Sequence, residues 1–440
     1  MPASRLPLDH PLRTALCDEA HARPPARVGE RSVVSVLALL EAPAEDVLAA
    51  VLDLARSQSV AATAQPSAAH VVIELAALRI KWERHGEFSS LTLVAPLPPG
   101  GADSLDPARY PSAFDAVPSD WLSALPGKVI AACDIVVLPG EFASFVDMAE
   151  RQFEQDTMAG SVVLDGAARI FTDFVVRGDG RSRWLILNAG MGRAQAARTV
   201  QRVIEIEVYR MVALLGFPSA RAAFGDLTRI ERELERMTAA IAALHAEAAT
   251  PATQREERRL LDELTRVAAE LEQMTARTAF RYAASQAYWD IVRARVTELR
   301  EQRIGDLRTL SGFLMRRLTP AMNSCAAAAR RQEGLSARIE RAGSLLRTRV
   351  DVAREEQNQQ LLAAMDRRGK LQLRLQQTVE GLSVAAIAYY VVGLLGYLLK
   401  PLGSVWPGFE VEWATAASIP VIALLVWRGL QRVRRRIEAD

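Results

Sequence analysis

The sequence predicts an α+β protein: an N-terminal mixed α/β domain, then a long antiparallel helical coiled-coil stalk and two C-terminal transmembrane helices. Three observations lead to this prediction. Strand-like and helical segments alternate over residues 1–216, the composition shifts to Arg, Glu, Ala and Leu from residue 225, and two uncharged apolar runs lie near the end of the chain. Each pattern is typical of one architecture: a layered sheet, packed helices and membrane spans.

The composition excludes several classes of protein. The 440 residues are 50% apolar and 24% charged, which excludes a disordered or collagen-like chain. The 54 Lys and Arg residues nearly balance 52 Asp and Glu residues, so no nucleic-acid partner is expected. Three widely spaced cysteines match no zinc or redox motif, so a reducing compartment and no cofactor are expected. The first residues have no apolar core, which argues against a signal peptide.

Residues 1–216 are predicted to form a cytoplasmic α+β domain with a mixed or antiparallel sheet. Apolar β-branched runs indicate strands, and apolar residues at helical spacing indicate helices. The predicted strands are 32–40, 70–82, 87–95, 129–138, 169–177 and 183–188, and the predicted helices are 44–58, 119–125, 142–155 and 192–215. The last two strands are expected to form a hairpin around Gly178-Asp179-Gly180.

Residues 225–380 are predicted to form the coiled-coil stalk. Apolar residues recur in steps of three and four, which is a heptad pattern: Leu227, Ile230, Leu234, Met237, Ile241 and Leu244. Thr250-Pro251 and Thr319-Pro320 each predict an N-cap followed by proline at the first helical position. Three helices joined by short turns are expected to fold back on one another. A plain helical bundle is the alternative.

Two segments are predicted to cross a membrane. Residues 381–399 carry no charge and have about the 20 residues that a bilayer core requires, and Lys400-Pro401 is expected to end this helix. Residues 400–412 would form a short outer loop and residues 413–428 the second span, for which a buried or interfacial helix is the alternative. Residues 429–440 form a basic tail. Because Arg and Lys flank the spans and are scarce in the loop, both termini are expected in the cytoplasm.

The N-terminal segment contains a possible ligand or structural cluster. His10, Glu19, His21 and Arg23 lie close together in the sequence. Imidazole and carboxylate groups bind metals or transfer protons. However, Glu19 and His21 are two residues apart and would point to different faces of a helix. An ordered arm held by hydrogen bonds and ion pairs is therefore the favoured interpretation, and no metal is assigned.

A second candidate is a possible anion-binding turn. Asn188, Gly190, Gly192 and Arg193 follow a predicted strand and open a predicted helix, where backbone N–H groups can face an anion. The glycine spacing matches neither the dinucleotide motif nor the phosphate-binding loop, so a simple tight turn is the alternative. No nucleophile, zinc or acid–base motif occurs, and no enzymatic activity is predicted.

Assembly into a homo-oligomer is also predicted. The seam formed by Leu335, Ile339, Ala342, Leu346 and Val350 must be buried, and a second copy would cover it if the other helices of the chain do not. Within the first span, Gly393 and Gly396 permit close helix packing in lipid. The predicted partners are therefore the lipid bilayer and further copies of the chain, with any other protein partner unknown.

Several longer motifs resemble one known family. They are His-Pro-Leu-Arg at 10–13, Glu-Ala-His-Ala-Arg-Pro at 19–24, Gly-Met-Gly-Arg at 190–193, Ile-Glu-Val-Tyr-Arg-Met at 206–211, and the run 371–387. Together they resemble the bacterial domain-of-unknown-function 3422 family of membrane-anchored proteins. The resemblance implies a bacterial inner-membrane protein and brings no activity or functional residue with it.

The architecture is also loosely similar to that of the CorA magnesium-channel superfamily. That family ends its first span with Tyr-Gly-Met-Asn, whereas the corresponding place here is Leu395-Gly396-Tyr397-Leu398-Leu399-Lys400. A lysine at a pore mouth would repel cations. The favoured function is therefore an oligomeric membrane-anchored scaffold or tether. A CorA-like ion channel or transporter lacking the filter motif is the alternative, followed by a membrane-tethered ligand sensor or enzyme.

Overall fold

A computed structural model of the chain describes residues 10–14, 16–17, 24–62, 69–97, 105, 109–140, 145–245, 250–405 and 411–437. The chain divides into two compact units. The first comprises residues 1–242 together with 262–342, and the second comprises residues 243–261 together with 343–440. The predicted mixed α/β domain with a large sheet, followed by long helices, is confirmed.

The first unit is built on a nine-stranded sheet with the order β2-β3-β4-β1-β5-β8-β7-β6-β9. All neighbouring strands are antiparallel except β5 and β8, which are parallel. The strands are β1 Ser32–Leu40, β2 His70–Glu74, β3 Arg79–Arg84, β4 Phe88–Pro96, β5 Lys128–Pro139, β6 Ala159–Val163, β7 Ala168–Thr172, β8 Ser182–Asn188 and β9 Gln302–Arg303. The expected hairpin forms between β7 and β8.

Helices cover both faces of this sheet. Helix α1 (Ala44–Ser57) packs its apolar residues against one face, where alternate residues of β1 and β5 form the main core. Helix α4 (Arg193–Leu214) packs against the opposite face of β5. Two shorter helices, α2 (Ser119–Ser123) and α3 (Phe145–Gln152), also precede α4. With both faces covered, β1 and β5 are apolar along most of their length instead of alternating.

Four longer helices follow. They are α5 Gly216–His245, α6 Pro251–Glu298, α7 Leu310–Val405 and α8 Val411–Ile437. Five of the six predicted seam residues of α5 are buried, among them Leu227, Ile230 and Leu234, and Ile241 is half-buried. Arg229 of α5 pairs with Glu270 of α6, and Arg331 of α7 pairs with Glu231 of α5. The long helices are thus present, while their winding as a coiled coil stays a prediction.

The structure corrects three predicted boundaries in the sheet. The run 70–82 contains two strands, because the chain turns where the Leu75 N–H donates to the Leu78 carbonyl oxygen at 2.7 Å. β7 ends at Thr172, well before residue 177. The predicted all-helical stalk also contains β9, which pairs with β6 through Ser161–Arg303 and Val162–Gln302. Part of the region predicted as a separate stalk therefore belongs to the sheet.

The helix ends differ from prediction at two prolines. Helix α6 begins at Pro251 as expected, with the Thr253 N–H donating to Thr250 Oγ1 at 3.2 Å. Helix α7 instead begins ahead of Pro320, because Thr309 Oγ1 accepts the Gly312 N–H at 3.0 Å and caps the helix there. The same helix continues through Lys400 and Pro401 to Val405. A proline removes one helical donor, and the flanking turns maintain the helix at both places.

Candidate functional site

A cluster of polar side chains lies inside the sheet of the first unit. Ser35 of β1 and Asp134 of β5 are directly opposite in the antiparallel register, so their side chains lie on the same face. The Ser35 hydroxyl donates to Asp134 Oδ1, and the Ser112 hydroxyl donates to the same oxygen at 2.8 Å. All three residues are buried. We call Ser35, Ser112, Asp134 and Arg181 the Asp134 cluster.

Hydrogen bonds of this cluster hold the start of the short 3-10 helix Ala113–Ala116 against the sheet. The Ala113 N–H donates to Ser35 Oγ at 2.7 Å, and the Phe114 N–H donates to Ser112 Oγ at 3.2 Å. The Tyr110 hydroxyl donates to the Trp184 carbonyl oxygen at 2.7 Å. Backbone groups that would otherwise be buried without partners are thereby satisfied. The serines therefore have a clear structural role.

Arg181 provides the only charge-neutralising contact to Asp134 among the described residues. It lies just before β8, and its Nη1 is 3.1 Å from Asp134 Oδ2. Burial raises the pKa of Asp134 from 3.8 to about 6, against the lowering effects of the Ser35 hydrogen bond, the Arg181 charge and the Ser112 hydrogen bond. A buried carboxyl with a shifted pKa beside a cleft is a typical sign of a functional site.

Arg181 also lines a cleft of about 800 Å³. The cleft lies between the segment 109–122, the first part of β5 and the turn that precedes β8. Its lining combines apolar with charged side chains: Leu37, Arg109, Phe114, Asp115, Val117, Ser119, Leu122, Val129, Ala132, Asp179, Gly180 and Arg181. Ser35 and Asp134 are buried and are not among the residues that line the cleft. They are therefore placed to orient Arg181, and Arg181 is placed to meet a ligand.

A second buried ionic group lies on the opposite face of the sheet. Arg210 of α4 donates to Glu207 through Nε at 2.8 Å and Nη2 at 2.6 Å, and Ser182 Oγ donates to Glu207 Oε1 at 2.6 Å. Burial, followed by the Glu207 charge, raises the pKa of the Cys133 thiol well above its usual value. This cysteine is thus held as a neutral thiol. The group fixes α4 on the sheet.

The predicted anion-binding turn lies at the start of α4. Asn188 Oδ1 accepts the N–H groups of Gly190 at 3.2 Å and Met191 at 2.7 Å, which takes these donors away from any external anion. Gly192 is the N-cap of α4 and provides no side-chain cap. Arg193 lines a separate cleft of about 800 Å³ with Arg27 and Arg79. Anion binding at this turn stays a prediction.

The N-terminal cluster is only partly described. His10 is exposed, and its Nδ1 accepts the Leu12 N–H at 3.2 Å. Glu19, His21 and Arg23 lie outside the described residues. Within the part of the chain that the structure describes, no group of three His, Cys, Asp or Glu side chains is arranged to hold a metal ion. The role of this cluster therefore stays a prediction.

The two glycines of the first predicted span differ in their surroundings. A Cβ atom added at Gly396 would lie 3.6 Å from Thr415 Cγ2, so α7 and α8 approach closely there. A Cβ atom added at Gly393 would meet nothing within 4 Å. Gly396 is thus used for packing within the chain, and Gly393 leaves an open surface.

Sequence reasoning missed the Asp134 cluster. One signal was present, since Asp134 is the only charged residue within the apolar run 129–138. A lone carboxylate inside a buried strand needs partners. Its partners Ser35 and Arg181 are far away in the sequence, and only the sheet order brings them together.

A family model described as "Protein of unknown function (DUF3422)" matches residues 8–437. No curated protein matches the chain.

Proposed function

The chain belongs to the DUF3422 family of proteins of unknown function, and from its own residues we propose that it is a membrane-anchored scaffold. In this proposal the C-terminal helices are embedded in the bacterial inner membrane. The α/β domain is then held at the cytoplasmic face, where it binds other components. The role is structural and includes no catalysis.

One observation carries the proposal: most large apolar side chains of the uncharged run 381–399 of α7 are exposed. By length and composition, α7 is the candidate membrane span among the described helices, and 6% of its apolar window is buried. Tyr389, Tyr390 and Leu394 are more than half exposed. In water such a surface is costly, at roughly 25 cal/mol per Å² of apolar area. A bilayer core about 30 Å thick accommodates a helix of this length.

Helix α8 supplies the second span of the proposal. Trp413, Val421 and Leu425 of this helix are exposed, as they are in α7. The close approach at Gly396 and Thr415 supports a hairpin of the two helices, because small residues allow helices to pack in lipid. Pro420 lies inside α8, and proline is tolerated in membrane helices when neighbouring groups satisfy the freed carbonyl.

The orientation follows from the distribution of basic residues. Arg367, Arg368 and Lys370 precede the first span and are exposed, and Arg428 and Arg432 lie at the end of the second. Positively charged residues remain on the cytoplasmic side. Both ends of the hairpin are therefore assigned to the cytoplasm.

The proposal also includes assembly of several copies. Leu335, Ile339 and Leu346 of the predicted seam are buried within one chain, so they do not require a second copy. Further along α7, large apolar side chains remain exposed ahead of the span: Leu361, Leu362, Met365, Leu371, Leu373, Leu375 and Val379. We assign this surface, together with Gly393, to contact between copies.

Cysteine labelling tests the anchor and its orientation. Cys17 is exposed whereas Cys133 and Cys325 are buried. The variant Cys17→Ser therefore retains only buried native cysteines and gives a low labelling background. In that background, the variant Ser404→Cys is expected to react with an impermeant maleimide that is added outside the cell. The variant Asp440→Cys is expected to react only after the membrane has been permeabilised. Labelling of position 404 only from the cytoplasm, or of position 440 from outside, contradicts the proposal.

Native mass measurement of the purified full chain tests assembly. More than one copy at micromolar concentration supports the scaffold. A monomeric mass would contradict both the proposed assembly and the alternative of a CorA-like channel, because such a pore needs several chains. An oligomer that conducts ions in a planar bilayer would instead favour the channel.

A further inference from the structure

The proposed scaffold role does not account for the cleft that Arg181 lines. We propose that this cleft binds a small monoanion, a carboxylate attached to an apolar body, with Arg181 and Arg109 binding the carboxylate. We call it the Arg181 cleft. It is distinct from the proposed membrane helices, since all of its lining residues belong to the first unit.

The size and the walls of the cleft suit such a ligand. Its volume of about 800 Å³ falls within the range of about 300–1,000 Å³ that is usual for small-molecule sites. Leu37, Phe114 and Val117 form a buried apolar surface, and Leu122 extends it. Val129 is 57% exposed although it lies in a central strand. The apolar body of a ligand would cover this surface.

Arg181 is held in place before any ligand arrives. Its Nη1 contacts Asp134 Oδ2 at 3.1 Å, and its Nη2 contacts Asp179 Oδ2 at 3.2 Å. A guanidinium has five N–H donors in a fixed plane, so donors remain for a further oxygen. Because Ser35 and Ser112 fix Asp134 in turn, the position of the guanidinium is preset. Preorganised groups bind with a smaller entropic cost.

The charges of the lining determine the charge of the ligand. The lining contains two arginines, Arg109 and Arg181, and two aspartates, Asp115 and Asp179. Asp179 is occupied, since its Oδ1 accepts the Arg181 N–H at 3.1 Å and its Oδ2 contacts the Arg181 side chain. An ammonium ligand would compete with Arg181 for it. A dianionic phosphate would need more positive charge than this balanced lining offers. A single carboxylate matches the two guanidinium groups.

Calorimetric titration of the full chain in lipid nanodiscs at pH 7.5 tests the proposal. The probes are 3-phenylpropanoate and the neutral 3-phenylpropanamide, with empty nanodiscs as the blank. We expect saturable binding of the carboxylate at one site per chain and at least tenfold weaker binding of the amide. Arg181→Gln and Arg109→Gln are each expected to weaken the carboxylate at least tenfold.

Arg300→Gln is the matched control. Arg300 also lies in the first unit, is exposed and pairs with Asp165 outside the cleft, so its variant should bind as the unaltered chain does. Equal binding of the two probes, or an unchanged affinity in Arg109→Gln, overturns the proposal. If Arg181→Gln fails to fold, Arg109→Gln decides alone, because Arg109 is exposed and takes no part in the buried cluster. Absence of saturable binding also overturns it.

Discussion

Helix α7 contains two stretches that differ in the exposure of their apolar side chains. In the first, apolar residues at helical spacing are at most 7% exposed: Leu310, Leu314, Leu318, Met322, Leu335, Ile339 and Leu346. In the second, from Leu361 to Leu398, most large apolar residues are 38–78% exposed, and Val384, Val392 and Leu395 are half-buried. One continuous helix therefore changes from a part that its own chain covers to a part that it does not.

The difference shows where stability must come from in each stretch. Up to Ala342, the first stretch shares one compact unit with the sheet and with most of α5 and α6, and burial in that unit stabilises it. The second stretch is also rich in apolar residues, but the described residues cover only a small part of it. Isolated helices are only marginally stable in water. Under the proposed function, lipid or further copies of the chain cover the second stretch.

The largest expected effect comes from charges placed in the uncovered span. Ile387→Arg combined with Leu394→Arg is expected to release the protein from membranes, because arginine at a span centre costs about 2.5–3.5 kcal/mol each. The measurement is the fraction of chain that sediments with membranes. Leu362→Arg is the control, since Leu362 is as exposed as Leu394 but lies ahead of the span. Equal release by the control would contradict the position of the span.

A smaller effect is expected from truncating a covered aromatic. Phe171 is fully buried in β7, whereas Phe280 of α6 is 69% exposed. Phe171→Ala is expected to lower the free energy of unfolding by about 3–5 kcal/mol, and Phe280→Ala by no more than about 0.5 kcal/mol. Thermal and urea unfolding of the full chain in detergent measure both. A similar loss in the two variants would show that Phe280 is covered by a partner.

The next effect concerns the pH dependence of the covered region. Burial raises the pKa of Asp134 from 3.8 to about 6, so the folded chain keeps a proton that the unfolded chain releases. Its contribution to stability is complete below about pH 4 and is lost as the pH rises through 6, a change of about 3 kcal/mol.

Asp134→Asn is expected to remove this pH-dependent contribution. The readout is the difference in unfolding free energy between the two chains from pH 4 to 7, since other carboxyls contribute equally to both. As the pH rises, the unfolding free energy of the unaltered chain should fall relative to that of the variant. Parallel curves would mean that Asp134 titrates in the folded chain as it does in the unfolded chain.

The smallest effect on folding is expected ahead of the span. Leu361→Asp combined with Leu362→Asp changes exposed positions, so the unfolding free energy of the first unit should move by about 0.5 kcal/mol or less. The same variant is expected to shift the native mass spectrum toward single chains. An unchanged oligomer would show that copies meet elsewhere.

Local signals explain which parts of the fold were predictable. β1 was predicted from one continuous apolar, β-branched run, and the start of α6 from Thr250-Pro251, because in each case the deciding residues are neighbours in the sequence. The β7–β8 hairpin was predicted for the same reason. β9 was not, because a two-residue strand carries no periodic pattern and is defined by its partner β6.

The candidate site was less predictable than the fold. Ser35 and Asp134 are 99 residues apart, and their contact depends on the register of β1 and β5. Likewise, Pro320 and Pro401 indicated helix boundaries but lie within α7, because capping at Thr309 and the flanking turns outweigh the loss of one donor. Long-range pairing and competing local signals thus limit inference from the sequence.

Alkaline carbonate extraction tests whether α7 and α8 are inserted in a membrane. The full chain and a chain ending at residue 375 are expressed in bacteria, and their membranes are washed at about pH 11, which strips proteins that are not inserted. We expect the full chain to stay in the membrane pellet and the shortened chain to be folded and released. Release of the full chain into the supernatant would contradict insertion of α7 and α8.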